Sequence, residues 1–322
     1  MSHLNVPIES SNMSLDEKAK AAEISPVSTN TDSDRAGYTT PTPAPAPNTN
    51  TLESSYNGNN TPSLSSLENL QVLPKILREG ILFIASAPAL LLQAAHPALN
   101  SSPNTSLQKD LPATIHSTLS YIAALVFGSR EEKAALLGRL RLGQPPFPLP
   151  STTSNPDAQL WVLATLYATA THIYQRVYGT FDFRTSEASY VEFGIVLRHL
   201  SPTLIAPGAW PSTRGGFWSY FDETVETLTV SAAAQDFASS LPNRDDLPKS
   251  MSLTKPVLRA VAIEMLPEKV RSGYGLQSTV GSRTMYSTAM GLVKPVYPVV
   301  PPAWKRGNVE YYLGEVRRVI NA

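Results

Sequence analysis

The chemistry this chain can perform is bounded first by its histidines, five in all, and by the complete absence of cysteine. Without a thiol there is no disulfide, no cysteine zinc site, no iron–sulfur cluster, no thiolate-ligated haem and no cysteine nucleophile. His96, His116 and His172 stand among apolar neighbours in stretches of helical period. A neutral imidazole in an apolar helical pocket is what an axial haem ligand requires. The competing reading is a core histidine satisfied by a threonine or a carbonyl. His172 shares a helical face with Trp161, Thr165, Ala168 and Arg176 by three- and four-residue spacing. No histidine pair has the tight spacing of a zinc site. His3, in a polar leader, and His199, beside Arg198, read as surface residues. Dinucleotide and phosphate loops, the H-E-x-x-H zinc motif and the G-x-S-x-G elbow are all missing. The aromatic segment WPSTRGGFWSYF, 210–221, either lines an apolar ligand cavity or packs over the core.

The elements that must position these residues begin only after a long leader. Residues 1–66 are rich in Ser, Thr, Asn and Pro and include the alternating tract PTPAPAP. Such a segment buries too little apolar surface to offset roughly 1–2 kcal/mol of backbone entropy per residue, and it is expected to be disordered. Residues 67–322 are expected to form one large all-α, bundle-like domain. Its first strongly apolar run, ILFIASAPALLLQAAHPAL at 81–99, is long enough to span a bilayer. Pro88, Gln93, His96 and Pro97 inside it favour a proline-bent core helix, ended by Asn and Ser at 100–104.

A second helix is expected over 113–127, where Ile115, Leu119, Ile122 and Val126 fall on one face. Gly128 closes it. Ser129 and Glu132 have capping-box spacing at the start of a third helix running to about Leu142. Asn155-Pro156-Asp157 opens a fourth, apolar on nearly all sides, that Gly179 ends. Further helices are expected at 187–199, 218–228, 258–265 and 309–320, and an extended, proline-spaced arm at 290–304. No alternating run is long enough to make a strand. Lys and Arg equal Asp and Glu at 26 each, which gives no electrostatic argument for nucleic acid or an anionic membrane. With no signal-like apolar stretch at the start, an intracellular, cytoplasmic protein is expected.

Several segments together resemble one family. Arg78-Glu79-Gly80-Ile81 followed by ALLLQAAHP at 89–97 is similar to the opening of the MpaB-type oxygenase and rubber oxygenase (latex-clearing protein) catalytic domain. Val126-Phe127-Gly128-Ser129-Arg130-Glu131-Glu132 resembles its Phe-Gly turn. Asn155-Pro156-Asp157 through Trp161-Val162-Leu163-Ala164-Thr165 resembles a following helix, and Leu266-Pro267, Arg271, Tyr274-Gly275-Leu276 and Pro301-Pro302-Ala303-Trp304 resemble its closing pattern.

The resemblance implies an all-helical fold, haem b, dioxygen chemistry and cleavage of C=C bonds in a hydrophobic, isoprenoid-like substrate, with ER-membrane association as a possibility. It carries over incompletely. The family's Arg-x-x-x-Thr pair reads Thr114 and Thr118 here. Its axial-histidine position falls near Leu142-Gly143, and a further histidine position is Leu163. Iron would then take another donor, from among His96, His116, His172, Met and Tyr: His96 first, then His172, with Thr118 and Thr165 as pocket groups orienting oxygen or substrate. The alternatives are a haem-free member that binds an apolar small molecule, and an enzyme that uses His96 as a general base.

Overall fold

A computed structural model describes residues 63–100, 107–147, 149, 155–201, 203–241 and 255–320. The leader and its proline tract, the expected terminator at 101–104 and His3 lie outside these residues. Every regular element described is helical, and no strand occurs among the described residues, as the sequence leads one to expect. In chain order the α-helices are α1 (Leu64–Glu68), α2 (Leu73–Leu77), α3 (Ser86–Ala94), α4 (Pro97–Asn100), α5 (Leu107–Phe127), α6 (Arg130–Arg141), α7 (Pro156–Tyr178) and α8 (Phe183–Leu200). They continue as α9 (Arg214–Thr227), α10 (Ala232–Ser240), α11 (Lys255–Met265), α12 (Glu268–Gly273), α13 (Val280–Val296), α14 (Pro302–Lys305) and α15 (Gly307–Ile320). Short 3-10 turns span Gly80–Ala85 and Tyr297–Val299.

Helix α7 is the centre. Trp161, Val162, Leu163, Ala164, Thr165, Ala168 and Ile173 have no exposed surface. Asn155 starts it, accepting hydrogen bonds on its side-chain oxygen from the amides of Asp157 and Ala158 at 3.1 Å. Pro156 occupies the first helical position, where a missing N–H costs nothing. Gly179 ends it at φ 103°, a backbone conformation that favours glycine. The capping box of α6 is present in both directions: Ser129 accepts from the Glu132 amide, and Glu132 accepts from the Ser129 amide.

Helix α3 packs along α7, and its C-terminal end is buried with it. The carbonyls of a last helical turn have no partners within the helix. Here Leu92 O accepts from the Trp161 indole at 2.9 Å, and Leu91 O, which already accepts from the Ala95 amide at 3.1 Å, takes a second bond from the Tyr274 hydroxyl at 2.7 Å. Gln93 O accepts from the His96 amide at 3.0 Å, and just beyond the helix Ala95 O accepts from the Thr229 amide at 3.1 Å. These bonds tie α3 to α7, to the residue after α12 and to the segment joining α9 and α10.

The five-residue helix α2 is held from a distance in a similar way. Glu192, on α8, accepts from the amides of Gln71 (2.8 Å), Val72 (2.9 Å) and Leu73 (2.7 Å). A carboxylate at a helix N-terminus meets both the free N–H groups and the positive end of the helix dipole.

The structure departs from several expectations. The run 81–99 is not one bent helix but a 3-10 turn, α3 and α4 in succession. No helix among the described residues is long and apolar enough to cross a membrane. Helix α5 starts at Leu107 and carries Pro112 inside it, so the proline does not delay the start to 113. The expected arm at 290–304 is instead the end of α13, the second 3-10 turn and α14. His199 is not a surface residue: its ring lies buried, with Nδ1 at 2.9 Å from Ile195 O. Trp210 and Phe217 pack with Tyr167, Tyr190 and Phe193 into a core cluster, the second of the two roles weighed for that segment. Helix α13 is unusual in the other direction, burying only Met290 and leaving Val280, Leu292 and Val296 exposed.

Two substitutions test these anchors. Asn155→Ala is expected to lower the unfolding free energy by about 1 kcal/mol, the usual worth of a cap. Glu192→Ala, which strips an ionised acceptor from several amides at once, is expected to cost more, about 2 kcal/mol. Denaturant midpoints at unchanged m-value measure both, and the expected order is the check.

Candidate active-site cavity

A cavity of about 370 Å³ opens where α2, the Gly80–Ala85 turn, α3, α5, α7, α8 and α15 meet. Each element contributes a short apolar stripe: Leu73 and Ile76 from α2, Ala89 from α3, Ile115 and Ile122 from α5, Phe193 from α8. The threonine and serine hydroxyls on its wall are spent locally. Thr169 donates to Thr165 O at 2.7 Å, Thr171 to Tyr167 O at 2.8 Å and Ser86 to Phe83 O at 2.7 Å. A hydroxyl bonded back to its own turn leaves the hydrocarbon part of the side chain to the cavity. The Tyr167 hydroxyl pairs with Ser189 at 3.0 Å, and that of Tyr311 with His116 Nε2 at 3.3 Å. Burial pushes the Tyr167 and Tyr312 hydroxyls up to about 12, so both stay protonated.

One carboxylate interrupts this wall. Glu79 is 3% exposed and lines the cavity. Its Oε1 lies 3.2 Å from Arg78 Nε, and its Oε2 accepts from the Tyr178 hydroxyl at 2.7 Å. The Tyr297 hydroxyl accepts from the Ile81 amide at 2.9 Å, and burial first, with the Glu79 carboxylate adding to it, pushes its pKa up. Burial first, and then the Glu79 carboxylate, push the Tyr178 hydroxyl above its ordinary value and keep its proton in place. Lys305 Nζ stands 3.4 Å from the Tyr178 oxygen and 2.9 Å from Pro298 O.

The four residues singled out from sequence lie in the core, and none of them lines this cavity. The His96 ring stacks on Trp161 with centroids 6.0 Å apart, and its Nδ1 is buried without a hydrogen-bond partner. Burial lowers its pKa, partly opposed by Asp157, so the ring is neutral at pH 7. Thr165 accepts from Gln93 Nε2 at 2.8 Å and donates to the carbonyls of its own helix. Thr118 is fully buried with its hydroxyl unpartnered. His172 accepts on Nε2 from Arg176 Nε at 3.4 Å, and burial, then Arg176, bring its pKa down to about 4. The structure therefore brings His96 and Thr165 to one α3–α7 contact and leaves His172 two turns further along α7.

The residues of the cavity do not fit a histidine-held haem. No imidazole lines it, and two of its tyrosine hydroxyls already have protein partners. Among the described residues no group of three or more His, Asp or Glu side chains is placed to hold a metal ion. Sequence reasoning missed Glu79 as a site residue. Its signal was a charged pair, Arg78-Glu79, standing directly before the most apolar run of the chain.

An all-helical domain enclosing an apolar cavity, with one buried carboxylate on its wall, is the class of protein these features define. The catalytic-domain family described as ER-bound oxygenase mpaB/B'/Rubber oxygenase matches residues 74–294, and the chain belongs to it. That family is oxygenase-type, as the sequence motifs imply. Two curated relatives, the uncharacterized proteins Mb2261 of Mycobacterium bovis and Rv2237 of Mycobacterium tuberculosis, are each 25% identical over 127 residues. The match covers 37% of this chain and 48% of each relative, so the chain spans about half the length of the curated relatives it matches. No solved structure matches.

The lowered His172 pKa has a consequence for stability. The unfolded state, with its histidine near 6.5, binds more protons than the folded state between about pH 6.5 and pH 4. Stability is therefore full above pH 6.5 and falls through that window, by up to about 3 kcal/mol from this one group. His172→Gln is expected to flatten the decline, measured as denaturant midpoints at pH 7 and pH 5.

Proposed function

We propose that this oxygenase-family chain acts as an oxidoreductase on a hydrophobic, isoprenoid-like small molecule held in the cavity between α2, α3, α5, α7, α8 and α15. The observation that carries the reading is the composition of the wall: aliphatic and aromatic side chains, with the threonine hydroxyls bonded to their own helices. Sites of this kind bind by burying apolar surface and use a few polar groups for orientation. The oxidative part of the reading rests on family membership.

A second reading has one specific observation in its favour. The same cavity would bind an apolar small molecule without redox chemistry, and the lack of any imidazole on its wall supports this. His96, then His172, remain the histidines proposed for haem b, and Thr118 and Thr165 the proposed pocket groups. Ligation of an iron in this cavity by His96 would require the ring to leave Trp161.

Two experiments test these readings. Ala89→Phe places a ring into the cavity from α3, where Ala89 is 1% exposed. It is expected to weaken binding of an apolar fluorophore at least about tenfold while the helical circular-dichroism spectrum is retained, at an overpacking cost of about 1–3 kcal/mol. Unchanged binding would reject this cavity as the site. Under the haem-free reading, protein purified from haem-supplemented cells shows no stoichiometric Soret band. A Soret band that His96→Ala or His172→Ala abolishes would establish histidine-held haem and reject the haem-free reading.

A further inference from the structure

Glu79 is the one carboxylate among the residues that line the cavity, and nothing in the assignment of the fold gives it a role. Burying a carboxylate beside an apolar space is costly unless its lone pairs are filled. An ionised carboxylate offers about four acceptor positions. Two are accounted for, by Arg78 and Tyr178. Neither of these lines the cavity, so the donors hold Glu79 from outside the cavity wall. The hydroxyls of Ser86, Thr169, Thr171, Tyr167 and Tyr311 are all engaged with protein partners. Asn308, also on the wall, donates from its side-chain amide to Gly80 O at 3.4 Å, and the one charged acceptor that lines the cavity is Glu79.

We propose that Glu79 receives the hydroxyl end of an otherwise apolar ligand, making the preferred occupant of the cavity a neutral, long-chain or terpenoid-like alcohol. The inference rests on the cavity being the ligand site. Hydrogen-bond complementarity and charge select the hydroxyl over the other polar ends. A ligand carboxylate would set acceptor oxygens against the acceptor oxygens of Glu79, with no proton to share. A ligand ammonium would enter beside two cations already in place, Arg78 at 3.2 Å from Oε1 and Lys305 at 3.4 Å from the Tyr178 oxygen. A hydroxyl donates one hydrogen bond and adds no charge, which is what a carboxylate already neutralised by Arg78 can accept. Arg78 and Tyr178 are positioning residues: they act on the ligand only through Glu79.

The test uses four probes of matched length against the full chain: decanol, methyl nonyl ether, decanoate and decylammonium, each measured by displacement of an apolar fluorophore. Decanol is expected to bind at least about tenfold more tightly than the ether, the worth of a hydrogen bond to a charged acceptor. Both ions are expected to bind more weakly than decanol. Glu79→Leu should bring decanol and ether to within about twofold of each other. Equal binding of decanol and ether by the wild-type chain would overturn the proposal and leave the cavity reading standing. Tighter binding of decanoate or decylammonium than of decanol would overturn it too. Failure of all four probes to bind would reject the cavity itself, and the proposal with it. If Glu79→Leu does not fold, the wild-type comparison of alcohol with ether decides alone.

Discussion

The C-terminal end of α3 sets the terms for the rest of the molecule. Its last carbonyls lie in the dry interior, where an unmet acceptor costs several times what a made bond gains. The chain answers with donors from far along the sequence: the Trp161 indole, the Tyr274 hydroxyl and the Thr229 amide. Each donor can reach only if its own helix is in place. Trp161 requires α7 in the centre, and Tyr274 requires α12 to end beside α3. The hydrophobic effect brings apolar helices together without regard to direction. These bonds supply direction, and with it the angle at which α3 presents Ala89 and Ser86 to the cavity.

Much of the fold was legible because its signals are local. Ser129 with Glu132, and Asn155 with Pro156, are caps whose partners lie within one turn, and the structure builds them as the spacing implies. What was not legible depended on distance or on misleading punctuation. The helix expected from 113 begins six residues earlier, at Leu107, and α5 carries Pro112 in its interior. The prolines after Met290 suggest an extended arm, although Thr279 and Ser282 form a capping box that opens α13. His199 beside Arg198 reads as surface until Ile195 O and Ser63 O, the second 136 residues away, are seen to hold its ring.

The site was legible as a family and much less so as a set of residues. Motifs placed the chain among all-helical oxygenases, and residues 74–294 match that family. Residue type and apolar surroundings pointed to His96 and His172, because a buried imidazole is conspicuous in a sequence. Both are buried, but against Trp161 and Arg176 rather than on the cavity wall. Glu79 was inconspicuous for the opposite reason. A glutamate next to an arginine ordinarily means solvent, and only Tyr178, 99 residues away, reveals that this one is enclosed.

The hold of Glu192 on α2 has a consequence for how the cavity wall is kept in place. A helix of five residues is far below the length that sustains itself in water. The amides at its start find their acceptor on α8, about 120 residues later in the chain. Leu73, Ile76 and Leu77 therefore stand in the wall with the help of a contact of long sequence separation. The same dependence runs backwards. Without that one carboxylate the amides at the start of α2 lose their acceptor, while the donors that fix α3 are untouched.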